Sequence, residues 1–322
     1  MVNNTLTAIP GIQVGHWTNL EAATGCTVIL CPQGAVAGVD VRGGAPGTRE
    51  TDLLDPTCMV DKVHAIYLGG GSAFGLAGAD GVMRWLEEQN YGFDVMVAKV
   101  PIVPGAILFD LALGDAKVRP DAAAGYAAAE TASDAPVREG NVGAATGATV
   151  GKVLGFPNAM KGGLGSACRR IGNKIIAALV AVNAAGDIID PRTGQIVAGA
   201  RKPDGAGFAD ASAVLSRTLE QSSQSWGQRT NTTLGVVATN IALDTRSATK
   251  VAQMAHDGLA RSICPVHTMT DGDIVFALSL GEERGDASLV GAVAAEVLAK
   301  AVVRAVQAAE TLFGVPAVRD LR

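Results

Sequence analysis

Between Thr233 and Thr239 the chain reads Thr-Leu-Gly-Val-Val-Ala-Thr, small, β-branched or aliphatic throughout, which is the composition of a buried strand. Such a strand needs cover, and it commits the chain to a layered fold. The residues before it are of the opposite kind. Glu220 to Arg229 is rich in Gln and Ser and has no apolar period, so residues 200–230 read as a polar linker carrying one short helix, Ala211 to Leu219. Asn231 and Thr232 stand on the boundary between linker and strand. A hydroxyl residue placed there is either an ordinary strand-capping threonine or an amino-terminal nucleophile, unmasked when the chain cuts itself between Asn231 and Thr232.

Elsewhere short apolar runs alternate with helical periods. Ile12–Val14, Thr27–Leu30, Ala35–Arg42, Ala65–Leu68 and Val95–Pro101 read as strands. Helices are expected from Leu76 to about Gln89, from Asp121 to Ala132, after a Ser247 cap through Val251, Met254, Ala255, Leu259 and Ile263, and from Ser288 to about Phe313. Gly163 to Arg170 reads as a turn before a strongly apolar strand, Lys174 to Val182, with Ile188 and Ile189 returning as its hairpin partner. There is no internal repeat. With 40 glycines and abundant alanine at 48% apolar content, the pattern suggests close backbone packing in one layered α/β domain, residues 1–322.

Charge and motif spacing narrow the function. A net charge of −5 without a basic run argues against nucleic acid or an anionic membrane as partner and leaves a small soluble ligand. Met1 to Gly15 has no signal-peptide pattern, and Glu296, Lys300 and Arg304 break the carboxy-terminal apolar stretch, so a cytoplasmic protein is expected. Five cysteines without a Cys-x-x-Cys pair suggest neither disulfides nor a zinc site. His16, His64, His256 and His267 stand far apart in the sequence and read as structural.

Gly69-Gly-Gly-Ser-Ala-Phe-Gly75 follows a strand and precedes a helix, but its spacing is not the dinucleotide fingerprint. Gly140 to Lys152 lacks the Gly-Lys-Ser/Thr ending of a phosphate loop. No cofactor is expected. Lys152 is then either a surface charge or a cation held against a carboxylate inside a site, and Asn183 reads as a strand-end turn residue. Asp271 and Asp273 stand directly before a buried strand without the other oxygen ligands of a calcium loop, so no metal is expected. The loop Arg42-Gly-Gly-Ala-Pro-Gly-Thr-Arg-Glu-Thr-Asp52 mixes glycine, proline and charge, and is either functional or merely solvated.

Four stretches in this order, Arg42-Gly-Gly-Ala-Pro-Gly-Thr-Arg-Glu-Thr, Leu68-Gly-Gly-Gly-Ser-Ala-Phe-Gly-Leu, Asn231-Thr-Thr and Asp271-Gly-Asp-x-x-Phe-Ala-Leu-Ser, resemble the self-processing aminopeptidase family. That family includes L-aminopeptidase/D-esterases, β-peptidyl aminopeptidases and nylon-oligomer (6-aminohexanoate) endo-hydrolases, and the resemblance runs from Gly11 to about Phe313. It implies an αββα sandwich of the N-terminal-nucleophile hydrolase type, autocleavage into subunits 1–231 and 232–322, and commonly a tetramer of the processed pairs. By the same resemblance Thr232 is the nucleophile, Asn231 supplies the carbonyl that is attacked, Asn183 is the oxyanion-side asparagine and Lys152 the site lysine. Asp271 and Asp273 look like the acidic pair of the nylon hydrolases, whereas the Gly-Ala-Pro-Gly-Thr-Arg-Glu loop looks like the aminopeptidases, and Phe109 lies where relatives carry a tyrosine. The expected activity is hydrolysis of small peptides, aminoacyl amides or esters. The alternatives are an endo-hydrolase of 6-aminohexanoate oligomers and, from another class, a nucleotide-binding or structural α/β protein.

Overall fold

The strand Thr232–Thr239 lies in the interior of the protein, in a computed structural model that describes residues 2–205, 207–221 and 231–321. In chain order the strands are β1 (Gln13–Asn19), β2 (Thr24–Val41), β3 (Thr48–Arg49), β4 (Lys62–Gly69), β5 (Phe93–Asp94), β6 (Lys99–Val100), β7 (Gly105–Ile107) and β8 (Thr149–Val150). They continue as β9 (Met160–Lys161), β10 (Gly163–Ile171), β11 (Lys174–Asn183), β12 (Asp187–Ile189), β13 (Ile196–Ala198), β14 (Thr232–Thr239), β15 (Ile263–Cys264) and β16 (Ile274–Ser279). The helices are α1 (Gly78–Glu88), α2 (Ala122–Glu130), α3 (Ala211–Gln221), α4 (Thr245–Ser262) and α5 (Ala287–Ala308). Among the described residues no helix is long and apolar enough to cross a membrane.

The main sheet runs β10-β11-β14-β16-β2-β4-β7-β3, with β1 on the other side of β2. β2 belongs to both halves. Its Cys26–Leu30 portion lies between β1 and β4, while Val36–Val41 pairs with β16, and the register shifts between Leu30 and Ala35. Side-chain alternation then assigns the layers. Leu234 and Val236 of β14 meet Ile29 of β2 and Ile66 and Leu68 of β4 in the apolar layer between the two halves. Val237 and Val275 face the other way, onto Val251 and Leu259 of α4 and Leu298 of α5. Val28, Ala65 and Tyr67 pack on Val82 and Leu86 of α1 and Ala128 of α2. The order is helix, sheet, sheet, helix, the expected αββα sandwich.

Local expectations differ from the structure in several places. Ile12–Val14 is the edge of the longer β1, and Thr27–Leu30 and Ala35–Arg42 are one strand, since a bulge bends β2 without ending it. Val95–Pro101 is no strand: Phe93–Asp94 and Lys99–Val100 pair as a small hairpin whose tip takes the intervening apolar residues. Gly163 to Arg170, read as a turn, is β10, the true hairpin partner of β11. Its glycines admit a helix, for a Cβ on Gly165 would stand 2.1 Å from the Ala301 carbonyl oxygen of α5. Ile188 and Ile189 pair with β13 and, at Ile188, with β15 rather than with β11. The cap of α4 is Asp244, whose carboxylate accepts the Ser247 amide at 2.8 Å, so Ser247 lies inside the first turn. α5 stops at Ala308, short of Phe313. Of the linker expected over residues 200–230, residues 222–230 lie outside the described residues.

Candidate active site

β11 and β14 run antiparallel with Asn183 opposite Thr232. In β11 the positions of Ala177, Leu179 and Ala181 face the layer between the sheets, and in β14 those of Leu234 and Val236 do. Extending the period of two places Asn183 and Thr232 on that same face, at the end where the apolar layer stops. Both are buried. The Thr232 hydroxyl donates to the carbonyl oxygen of Asn231 at 2.5 Å, and the Gly272 amide donates to that oxygen at 2.9 Å. The carbonyl of the 231–232 bond thus carries the nucleophile candidate on one side and a backbone donor on another.

Asn183 organises the other wall. Its Oδ1 accepts the Thr149 amide at 2.9 Å and the Lys152 ammonium at 3.1 Å, and its Nδ2 donates to the Phe109 carbonyl at 2.9 Å. Lys152 also donates to the Asn183 carbonyl at 3.0 Å. Burial pushes Lys152 down to about 7, against the pull of the Asp271 charge and with the push of nearby Lys161. Lys161, fully buried and donating to the Thr146 and Ala148 carbonyls at 2.9 and 2.7 Å, is likewise lowered to about 7 by burial. A cleft lined by Phe109, Asp110, Leu113, Thr149, Lys152 and Phe156 opens beside Asn183.

The two acids are buried in the loop before β16. Asp273 Oδ1 accepts the Thr233 amide at 2.6 Å, and Oδ2 accepts the His267 amide at 2.9 Å and faces His267 Nδ1 at 2.8 Å. Asp271 Oδ2 accepts the Thr268 amide at 2.9 Å and also the Thr268 hydroxyl. Burial, and then the charge of Asp273, raise Asp271 above the usual carboxylate range. The Arg42 loop holds this segment by its backbone. The Arg42 and Gly43 amides bond the Asp273 carbonyl at 3.0 and 3.2 Å, and the Ala45 amide bonds the Asp271 carbonyl at 2.8 Å. A Cβ on Gly43 would lie 2.3 Å from the Asp271 oxygen, so the close approach needs glycine. That loop therefore works as a clamp.

All of Thr232, Asn231, Asn183, Lys152, Asp271 and Asp273 gather here. Sequence reasoning missed Gly272, Thr149 and the two histidines. Gly272 stood between the acids in plain view, but backbone donors carry no residue-type signal. His256 and His267, far apart in sequence and read as merely structural, are in contact, His267 on Asp273. The glycine loop does not offer its amides to a phosphate: the Gly71 amide is taken by Asp110 Oδ1 at 2.7 Å, an acid that burial raises to about 6. Among the described residues no group of three His, Cys, Asp or Glu side chains is placed to hold a metal.

The profile of peptidase family S58 matches residues 4–318, and the chain belongs to that family. It is 44% identical to an uncharacterized aminopeptidase of Mycobacterium leprae, over 97% of this chain and 92% of the relative. It is 33% identical to the 6-aminohexanoate-oligomer endohydrolase of a Kocuria species, over 92% of this chain and 84% of the relative. Its fold is similar to that of the L-aminopeptidase D-Ala-esterase/amidase of Ochrobactrum anthropi, described as a variant of the Ntn hydrolase fold, with a TM-score of 0.72 at 23% identity over 97% and 88% of the two chains. The protein is thus an S58 peptidase with an Ntn-type fold, related to nylon-oligomer hydrolases.

Proposed function

We propose that the protein is a self-processing amide hydrolase whose nucleophile is Thr232, released as an amino-terminal residue by cleavage after Asn231. The observation that carries this reading is the 2.5 Å contact between the Thr232 hydroxyl and the Asn231 carbonyl oxygen, which also accepts the Gly272 amide. In processing, Thr232 Oγ1 bonds to the Asn231 carbonyl carbon while the Gly272 amide stabilises the developing oxyanion. The C–N bond then breaks, and the hydroxyl proton ends on the departing Thr232 nitrogen. Water hydrolyses the resulting ester, leaving a carboxylate on Asn231 and a free amine on Thr232.

That amine is the base for turnover, because an α-amine has an ordinary pKa of roughly 7.7–8.0 and takes the proton of its own hydroxyl. Asn183, directly across the ladder, is assigned to the substrate's oxyanion side, and Lys152 holds Asn183 in place. Asp273 is assigned to holding the strand that carries Thr232, since its Oδ1 accepts the Thr233 amide while its Oδ2 accepts the His267 amide. Asp271, set against the Lys152 charge, is left to orient the free amine of a substrate. Fragments 1–231 and 232–322 would stay together, because β14 and β16 lie between β11 and β2 of the larger piece.

The substrates proposed are small aminoacyl amides, esters and short peptides. A second reading, endo-hydrolysis of 6-aminohexanoate oligomers, is favoured by the likeness to the Kocuria enzyme across most of both chains. A denaturing gel with amino-terminal sequencing tests the processing step. Two fragments are expected, the smaller beginning at Thr232, and Thr232→Ala should stay whole. A wild-type chain that remains intact, or a smaller fragment with another start, overturns the reading.

A further inference from the structure

Two imidazoles in contact link Asp40 to the buried Asp273. His256, on α4, has no exposed side-chain area, and His267 sits in the loop before β16 at φ 57°, a left-handed conformation that persists in a non-glycine residue where its surroundings hold it. The rings meet edge to face, with His256 Nδ1 3.2 Å from His267 Nε2. On one side His256 Nε2 lies 2.9 Å from the Asp40 carbonyl oxygen and 3.7 Å from its carboxylate. On the other side His267 Nδ1 lies 2.8 Å from Asp273 Oδ2, and Asp273 Oδ1 holds the amide of Thr233, next to the nucleophile candidate.

Each of these contacts needs one proton between its heavy atoms. Among the described residues His256 Nε2 faces only oxygens of Asp40, so that nitrogen donates. The nitrogen–nitrogen contact needs a second proton and the nitrogen–carboxylate contact a third. Two neutral imidazoles supply only two. The third is an additional proton, and it sits on His267 Nδ1, because an imidazole nitrogen is ordinarily a stronger base than a carboxylate oxygen. Burial pushes His256 down to about 4, which leaves the additional proton at the His267–Asp273 end. Among the described residues, the other charged groups around the pair are Asp40 and Arg42, ion-paired at 2.6 Å beside His256, and Asp271 and Lys152 beside Asp273.

We propose that His267, backed by His256, is a positioning residue that holds one additional proton against Asp273 and thereby fixes its carboxylate on the Thr233 amide. Two buried carboxylates one residue apart repel each other, and the shared proton offsets the charge of Asp273, leaving Asp271 as the acid that faces Lys152. The entry of β14 is then held where the Thr232 hydroxyl reaches the Asn231 carbonyl. This role rests on Thr232 being the nucleophile.

The test has two arms. Long-range proton–nitrogen spectra of protein labelled with nitrogen-15 histidine, at neutral pH, should show one ring with both nitrogens protonated and one with a proton on Nε2 only. His267→Gln assigns the first ring by its loss, and Asp273→Asn should leave both remaining rings of the pair neutral. Wild-type spectra in which both rings are neutral overturn the proposal, and that result needs no variant to fold. In the second arm, His267→Gln and His256→Gln should slow the kcat of the processed enzyme by roughly ten- to a hundredfold with little change in KM, the cost of losing an outer partner that orients a reacting group. Unchanged kcat in both variants overturns it. A wild-type chain that never cuts before Thr232 would instead refute the nucleophile, while the proton count is read from the spectra alone.

Discussion

Asn183 and Thr232 are direct partners across the β11–β14 ladder, and their side chains lie on the same face. Directly opposed residues in an antiparallel pair have Cβ atoms roughly 4.5–5.5 Å apart. An amide and a hydroxyl held that close, on two hydrogen-bonded strands, keep their relation without any loop having to place them.

Asn183→Ala should therefore separate catalysis from the nucleophile's own chemistry. It removes the donor proposed for the oxyanion side, and kcat should fall by roughly 10²–10³. It also strands the Thr149 amide and the Phe109 carbonyl, at about 1–3 kcal/mol of stability. Steady-state kinetics and urea unfolding check the two effects; a variant equal to wild type in kcat would remove Asn183 from the oxyanion assignment.

Gly272→Ala is expected to slow processing without unfolding the protein. Its Cβ would stand 2.9 Å from Thr232 Oγ1 and 2.9 Å from the Ala45 oxygen, so the hydroxyl has to move. A misplacement of about 1 Å costs about a hundredfold in rate. Processing half-time on a gel, beside an unchanged far-ultraviolet circular dichroism spectrum, is the measurement.

Lys152 gives a pH dependence with a definite sign. Burial lowers it to about 7 in the folded protein from 10.5, so between those values the unfolded chain binds more protons than the folded one. Stability from this group accordingly rises with pH from about 7 towards 10.5, and below about 7 the folded protein bears the full cost of burying the charge. Lys152→Met should raise the urea midpoint at pH 7 relative to wild type, and this difference should shrink at pH 9. A difference that grows with pH would contradict the burial of the charge.

The substrate's amine is tested by blocking it. If Asp271 holds that amine, acetylation of an aminoacyl amide should slow cleavage by roughly tenfold or more, since a hydrogen bond to a charged group contributes about 1.5–3 kcal/mol. Equal rates on free and acetylated 6-aminohexanoate oligomers would favour the endo-acting reading. A chelator should leave both processing and turnover unchanged, and activity lost to it and restored by a divalent ion would point to a metal step.

Residue order alone carried much of this protein. The apolar run after Thr232 is a strand because its composition tolerates no other surroundings, and the periods of α4 and α5 follow from side chains that repeat every three or four residues. Asn231, Thr232 and the acids stood out because a polar stretch met that strand abruptly and two carboxylates preceded another, whereas the roles proposed for them came from the family resemblance. What tertiary structure decided is which residues face one another. Gly163 to Arg170 carries no strand signal of its own, since its glycines serve the passage of α5 at Ala301, a contact made more than a hundred positions away in the chain. The same holds for the meeting of His256 with His267 and for the Gly272 amide on the Asn231 carbonyl. Propensity and periodicity act between near neighbours, whereas register, backbone donors and proton sharing arise only once distant segments are packed together.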